Sequence, residues 1–420
     1  MVGKKFIDSS WDFQSGSEKV LTHNYHTYPA MMIPPISKRL IQMYGKKSKT
    51  ILDPFVGSGT VMVEATLTNN LKEAYGTDIN PLALLLANVK TTSLSYSDLK
   101  KQYEKISAKI KNDLWELNTL QKDTTVPSFK NISFWFKPRI AKELSIIKNR
   151  IDEIKDEPTR DFFLVAFSEI VRKVSNSRNG EYKLYRIQED KLKSHNPNAF
   201  EEFNKKAICS IERMRDYAQM RQKCKTNIFF ADCREKTPVP GNKIDLIVTS
   251  PPYGDSRTTV AYGQFSRLAL QWLGYDDKDT IAIDKTCLGG IPTKDMARKF
   301  ESPSLGTVLD KISAQDERRA RDVLSFYADF YKCIPEFDRV LREKANLCFV
   351  VGNRTVKNTK IPTDDILVEL FEGFGNYKHD KTFIRQIPSK RMPRSNSPTN
   401  VKGATSPTMN EEYIVVLKKS

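Results

Sequence analysis

The segment Ile244-Asp245-Leu246-Ile247-Val248-Thr249-Ser250-Pro251-Pro252-Tyr253 constrains the fold more than any other. An apolar run that stops at two prolines reads as a strand ending in a rigid turn, because proline lacks an N–H and fixes φ. The turn aims the carbonyls of Ser250 and Pro251 outward, next to a hydroxyl and the flat face of Tyr253. Such a corner suits an exocyclic amino group on a planar heterocycle, and ligands of open α/β sheets bind at the carboxyl edge of the strands. Taken alone, Thr249 to Tyr253 are equally readable as a strand end followed by an ordinary turn.

A second segment favours the ligand-binding interpretation. Ile51-Leu52-Asp53-Pro54-Phe55-Val56-Gly57-Ser58-Gly59-Thr60 reads as a strand, a tight glycine turn and a helix that begins near Thr60. Glycine lets a backbone approach a ligand closely, and the helix N-terminus offers free N–H groups with a partial positive charge. The same Gly-x-Gly spacing also occurs where a turn only needs φ > 0. Ala74-Tyr75-Gly76-Thr77-Asp78-Ile79-Asn80-Pro81 ends a second strand at Asp78, about twenty residues on, where nucleoside-binding α/β folds usually hold a ribose diol. Asn227 to Asp232 ends a third, with Asp232 available to an adenine amino group. Each aspartate is alternatively an N-cap of the helix that follows.

The glycine turn Asp53 to Thr60, together with Thr249 to Tyr253, resembles the S-adenosylmethionine-dependent amino-methyltransferases that modify DNA bases on an exocyclic nitrogen. The serine form of the Pro-Pro-Tyr motif is similar to the cytosine-N4 members of restriction-modification systems; adenine-N6 members more often carry Asp or Asn there. His26-Thr27-Tyr28-Pro29-Ala30, with Pro34-Pro35 and the helical Ile36 to Ile41, resembles the segment that flanks the cofactor in this family. The resemblance implies an α/β, Rossmann-like class I methyltransferase fold, a mostly parallel seven-stranded sheet with a reversed C-terminal strand. It implies S-adenosyl-L-methionine as cofactor, with Asp53, Phe55, Gly57, Gly59 and Thr60 in the turn around the methionine portion, Asp78 on the ribose and Asp232 near the adenine. Tyr28 and Pro29 belong to the flanking segment, and Ser250, Pro251, Pro252 and Tyr253 are the implied catalytic residues.

Charge agrees with a polyanionic partner, expected to be duplex DNA. Lys plus Arg number 68 against 51 Asp plus Glu, a net +17. A lysine-rich surface that serves solubility gives the same balance. The six cysteines are scattered and the four histidines complete no metal-ligand spacing, so reduced thiols and no metal are expected. The absence of an apolar run of about twenty residues, and of an apolar leader after Met1, points to a cytoplasmic protein without membrane association. The resemblance to members of restriction-modification systems leaves open a cognate restriction endonuclease in the host.

The chain divides into a catalytic part, 1–95 and 226–420, interrupted by a helical insertion at 96–225 that is the candidate DNA-recognition region. Within the insertion, Leu99 to Leu120, Arg139 to Ile154 and Asp161 to Val171 repeat apolar residues at three and four spacing. Arg172 to Gly180 reads as a basic loop, either phosphate-facing or a solvated connector. Helices are expected over Gln264 to Leu273, Asp322 to Leu341 and Thr363 to Phe371, a strand over Asn346 to Gly352, and a loop-like charged stretch over 275–318. Lys381 to Ile384 is expected to pair with Glu412 to Leu417. Lys390 to Pro398, between those two strands, is either a DNA-facing arm or a hairpin loop.

An exocyclic amine is a poor nucleophile because its lone pair is conjugated into the ring. Hydrogen bonds from that amine to the Ser250 hydroxyl and the Pro251 carbonyl favour a pyramidal nitrogen, and alignment supplies much of the rate. No Pro-Cys nucleophile motif is needed for such direct transfer. A target amine paired inside a duplex has to leave the stack, and Tyr253 offers the extruded base a face. Adenine-N6 methylation of DNA, guanine-N2 methylation of RNA and a non-catalytic nucleic-acid-binding protein are the competing readings.

Overall fold

The computed structural model describes residues 5–13, 20–255, 259–294, 296–297, 300–387, 395–396, 406–407 and 409–420. The amino-terminal part builds β1 (Lys5–Ile7), α1 (Pro34–Tyr44), β2 (Thr50–Asp53), α2 (Thr60–Thr66), β3 (Glu73–Asp78) and α3 (Pro81–Thr91). Helices α4 (Tyr96–Thr119), α5 (Ile132–Trp135), α6 (Pro138–Asp152), α7 (Glu157–Val174), α8 (Glu189–Ser194) and α9 (Ala199–Met220) follow. The chain then returns with β4 (Lys225–Phe230), β5 (Ile244–Thr249), α10 (Tyr262–Trp272), α11 (Asp277–Thr286), α12 (Pro303–Ser313), α13 (Glu317–Val340) and β6 (Leu341–Gly352). A small ladder of β7 (Thr355–Val356) and β8 (Thr359–Lys360) precedes α14 (Thr363–Phe374) and β9 (Tyr377–Gln386). A second ladder, β10 (Ser395–Asn396) with β11 (Ser406–Pro407), leads to β12 (Glu411–Lys419).

Among the described residues the main sheet has eight strands in the order β1-β9-β12-β6-β5-β2-β3-β4. Its strands are parallel except β12, which runs antiparallel to both β6 and β9. This is the Rossmann-like arrangement with a reversed C-terminal strand, and Phe383 pairs with Ile414 in the expected β9–β12 hairpin. An eighth strand, β1, extends the expected seven, with Lys5 opposite Thr382 and Ile7 opposite Ile384. Three exposed residues carry no alternation that would announce a strand.

The register positions the site. Strand order reverses between β2 and β5, since β3 and β4 lie on one side of β2 and β6 lies beyond β5. Leu52 pairs with Ile247 and Asp53 with Gly76, so Asp53, Asp78, Phe230 and Thr249 all come to one carboxyl edge at this switch point. Parallel strands need apolar side chains on both faces. Ile51, Leu246 and Val248 accordingly pack toward α1 and α2, while Leu52, Ile247 and Phe349 pack toward α12, α13 and α14.

Helices α4, α6, α7 and α9 share one apolar cluster with α3 and α10, so the insertion is packed against the sheet's helical layer. Phe162, Phe163 and Phe167 of α7 are fully buried there. Arg172, assigned to a basic loop from sequence, instead lies in the last turn of α7 and is buried.

The stretch 275–318 holds α11 and α12, contrary to the loop expected there. Ser302-Pro303 starts α12: the Ser302 hydroxyl accepts from the Leu305 N–H at 3.2 Å, and Pro303 takes the first helical position, where its missing N–H is harmless. Most of Lys390 to Pro398 lies outside the described residues. Among the described residues no helix is long and apolar enough to cross a membrane, and no group of three or more His, Cys, Asp or Glu side chains is placed to hold a metal ion.

Candidate active site

A cleft of about 890 Å³, its open mouth included, lies over the switch point. Tyr28, Pro29, Asp53, Phe55, Gly57, Thr60, Asp78, Asp232, Ser250 and Pro252 all line it, so residues from both motifs meet in one concavity. Gly59, Pro251 and Tyr253 do not line it.

Each part of the glycine turn has its own structural cause. Gly57 sits at φ +48°, and a Cβ there would stand 3.6 Å from Tyr28 Cε1, so the bare backbone keeps this part of the cleft open. Gly59, at φ +83°, serves packing instead: a Cβ would meet Ala87 Cα at 2.8 Å, which lets α3 approach α2. The Asp78 carboxylate accepts from the Gly57 N–H at 2.9 Å and the Asn80 N–H at 2.8 Å. Asn80, rather than Asp78, caps α3, its Oδ1 accepting from the Leu82 N–H. Its Nδ2 donates to the Tyr28 hydroxyl at 3.0 Å and the Ser266 hydroxyl at 2.8 Å, fixing the flanking segment against α10.

Two carboxyls end neighbouring strands and line the cleft, Asp53 buried and Asp78 half-buried. Burial pushes Asp53 up to about 7, against the opposing pull of hydrogen bonds from the Thr249 hydroxyl and the Phe55 N–H. Burial likewise pushes Asp78 up to about 6, against the N–H groups of Asn80, Gly57 and Ile79. Perturbed groups lining a cleft make it a candidate functional site.

Asp232 caps no helix. Its carboxylate is gripped by the Arg234 guanidinium through two nitrogens at 2.5–3.0 Å, and Arg234 also reaches Asp329 at 3.1 Å and the Thr286 carbonyl at 2.6 Å. Arg234, Thr286 and Leu288 thereby form the wall of the cleft beyond β4.

At the Pro-Pro corner, Ser250 lines the cleft, and its hydroxyl lies 3.4 Å from the Tyr253 hydroxyl. Tyr253 in turn donates to Glu412 Oε1 at 3.0 Å, and the other oxygen of Glu412 is held by Arg385 at 3.0 Å. Burial, then the Glu412 charge, drives the Tyr253 phenol well above its ordinary value, so it stays neutral. Gly254 is needed where it stands, because a Cβ there would fall 2.4 Å from the guanidinium carbon of Arg354, which pairs with buried Asp255 at 2.9 Å.

Sequence reasoning missed Asn80, Arg234, Tyr262 and Glu412. Asn80-Pro81 is a cap-and-first-turn signature that could have been found. Nothing in the sequence places Tyr262 or Glu412 beside the motifs.

The cleft suits S-adenosyl-L-methionine. It offers an open glycine turn, neighbouring carboxyls for hydroxyl and amino groups, and apolar walls from Phe55, Ile79 and Leu288.

Residues 2–89 match the DNA methylase family of the N6/N4 type. A Type II methyltransferase of Kocuria varians, M.MvaI, is 42% identical, the match spanning 99% of this chain and 96% of the relative. M.MjaII, a Type II methyltransferase of Methanocaldococcus jannaschii, is 22% identical over 58% of this chain and 62% of its own length. The rRNA methyltransferase aviRa from Streptomyces viridochromogenes superposes loosely, with a TM-score of 0.31 and 12% identity over 98% of this chain and 93% of that one. The similarity to M.MvaI, sustained over nearly the whole length of both proteins, together with the family match, shows the family: this chain belongs to the Type II DNA methyltransferases of the N6/N4 amino-methylating group.

Proposed function

We propose that the protein methylates the exocyclic N4 of cytosine in duplex DNA, at a specific site and with the target base turned out of the helix. The observation that carries this reading is Ser250, which heads the Pro-Pro-Tyr corner and lines the same cleft as Asp53 and Gly57. The proposed working part is 1–95 with 226–420, and the insertion 96–225 is the proposed recognition region. The proposed setting is the cytoplasm, where a site-specific methylase meets the chromosome and any cognate endonuclease.

Bound S-adenosyl-L-methionine supplies an electrophilic methyl group on a sulfonium centre. Tyr28, Pro29, Asp53, Phe55, Gly57, Gly59, Thr60, Asp78 and Asp232 are the residues proposed to hold it, Gly59 acting through the packing that shapes the turn. Ser250 donates its own hydrogen toward Tyr253, which leaves its oxygen lone pairs to accept an N–H of the target amine. The Pro251 carbonyl, outside the lining of the ligand-free cleft, is the acceptor proposed for the second N–H and has to be uncovered as the base enters. Pro252, in the cleft wall, and the rigid turn fix both acceptors, so the amine nitrogen is held with its lone pair toward the glycine turn. Tyr253, expected from sequence to receive the face of the base, lies outside the cleft lining with its hydroxyl held by Glu412, and is proposed to brace the corner instead.

The test is incubation with S-adenosyl-L-methionine carrying a labelled methyl group, in parallel with unmethylated duplex DNA and with transfer RNA. Label in the DNA and none in the RNA is expected. Label confined to RNA would overturn the proposal.

A further inference from the structure

Residues 176–187, just after α7, fold back as a short hairpin. Ser177 bridges to Arg186, the Arg178 N–H donates to the Tyr185 carbonyl at 2.8 Å, and the Ile187 N–H donates to the Asn176 carbonyl at 2.8 Å. The tip is gripped from below by the Arg172 guanidinium, which donates to the carbonyls of Glu181, Tyr182 and Lys183. Arg172 is only 8% exposed and also lies over the Phe265 ring at 4.9 Å. Burying a cation to hold the carbonyls of a surface turn carries a desolvation cost, which a plain connector has no need to bear.

The hairpin leans on the wall of the cleft. The Tyr182 ring lies 6.2 Å from Phe265, Phe265 lies 5.9 Å from Tyr28, and Tyr28 lies 6.0 Å from Tyr262. Tyr28 and Tyr262 both line the cleft. The Leu184 N–H also donates to Gln264 Oε1 at 3.4 Å, joining the hairpin to the first turn of α10. Its outer surface alternates rings and cations. Tyr182 is 48% and Tyr185 45% exposed, with Lys183 between them, while Arg178 pairs with Glu181 at 3.3 Å and Arg186 pairs with Glu189 and lies over the Phe134 ring. Exposed rings interleaved with cations make a surface for stacking on bases and meeting phosphates.

Resting on the proposed reaction at a base turned out of duplex DNA, we propose that the 176–187 hairpin enters the duplex beside the target. Tyr182 and Tyr185 stack on the bases next to the vacated position, and Lys183 meets a backbone phosphate. Rigidity supplied by Arg172 keeps the rings poised, so little ordering is required on binding.

The test uses the full-length protein, unmethylated plasmid DNA, and a synthetic unmethylated duplex with the sequence around a site that the protein methylates in that plasmid, carrying 2-aminopurine next to the target base. The unaltered protein must first transfer methyl groups to the plasmid; failure there sinks the proposed function, and this inference with it. Tyr182→Ala/Tyr185→Ala is expected to weaken duplex binding about tenfold or more and to lose the 2-aminopurine fluorescence rise, with affinity for S-adenosyl-L-methionine unchanged. Tyr185→Ala alone, at the solvent-exposed ring, guards against misfolding and is expected to lose part of the same signal. Lys183→Ala is expected to reduce the log–log salt slope of binding by about 0.9. An active parent whose tyrosine variants bind and unstack the duplex as it does would overturn the hairpin's role.

Discussion

The Thr249 hydroxyl donates a 2.6 Å hydrogen bond to Asp53 Oδ1, tying together the ends of β2 and β5, which stand 196 residues apart in the chain. Through this bond the glycine turn and the Pro-Pro corner share one buried group. Thr249→Val keeps the volume and removes the donor, leaving Asp53 buried with fewer partners. The expected loss of stability is about 1–3 kcal/mol, with weaker binding of S-adenosyl-L-methionine. Thermal melts and calorimetric titration at pH 8 check it; unchanged values for both would show that the bond couples nothing.

Asp53 also sets a dependence of stability on pH. Because burial raises it to about 7 from a reference of 3.8, the folded state binds more protons than the unfolded chain between those values. Stability from this group therefore falls as pH rises through that window. Asp53→Asn removes the penalty for ionising, so its melting temperature in the ligand-free state should exceed the parent's at pH 8, with a smaller gain at pH 5. A gain that is larger at pH 5 would contradict the assignment.

The cofactor role proposed for Asp78 predicts a pH dependence of S-adenosyl-L-methionine binding in the same region. If its ionised carboxylate receives the ribose hydroxyls, affinity should be flat above pH 7. Below about pH 6, where the carboxyl becomes protonated, it should fall roughly tenfold per unit. Asp78→Asn should bind weakly with no such slope. Isothermal titrations from pH 5 to 8 decide the matter, and a parent whose affinity is level across that range rules out the role.

Ser250→Ala should leave the affinity for S-adenosyl-L-methionine within about twofold while lowering kcat by roughly 10–150-fold, the worth of a hydrogen bond made to the reacting amine. Tyr253→Phe and Glu412→Gln loosen the same corner without entering the cleft, since Glu412 touches Tyr253 and Arg385 instead. Both should cost less than Ser250→Ala, chiefly in kcat. Single-turnover kinetics separate the three variants; equal losses in all of them would mean that Ser250 acts only as part of the scaffold.

The strand ends were legible because each joins an apolar run to residues with few other uses: Pro251-Pro252 after Val248, and Gly57 and Gly59 after Leu52. The β9–β12 hairpin was legible for the same reason, from the apolar run Tyr413 to Leu417. What escaped depends on partners distant in the chain. Arg234 was unreadable because its meaning comes from Asp329 and the Thr286 carbonyl, and Glu412 because it meets Tyr253 only across the sheet. Helix α12 was missed for a local reason, the reading of Ser302-Pro303 as a breaker when it is a cap and first turn. Gly59 shows the converse: a glycine expected in the ligand cradle makes room for Ala87.

Identification of the modified nucleoside tests the central claim most directly. Unmethylated duplex DNA treated with the protein and labelled S-adenosyl-L-methionine is digested to nucleosides and resolved by mass. N4-methylcytosine is the predicted product, and N6-methyladenine in its place would contradict the role given to Ser250 at the corner of the cleft.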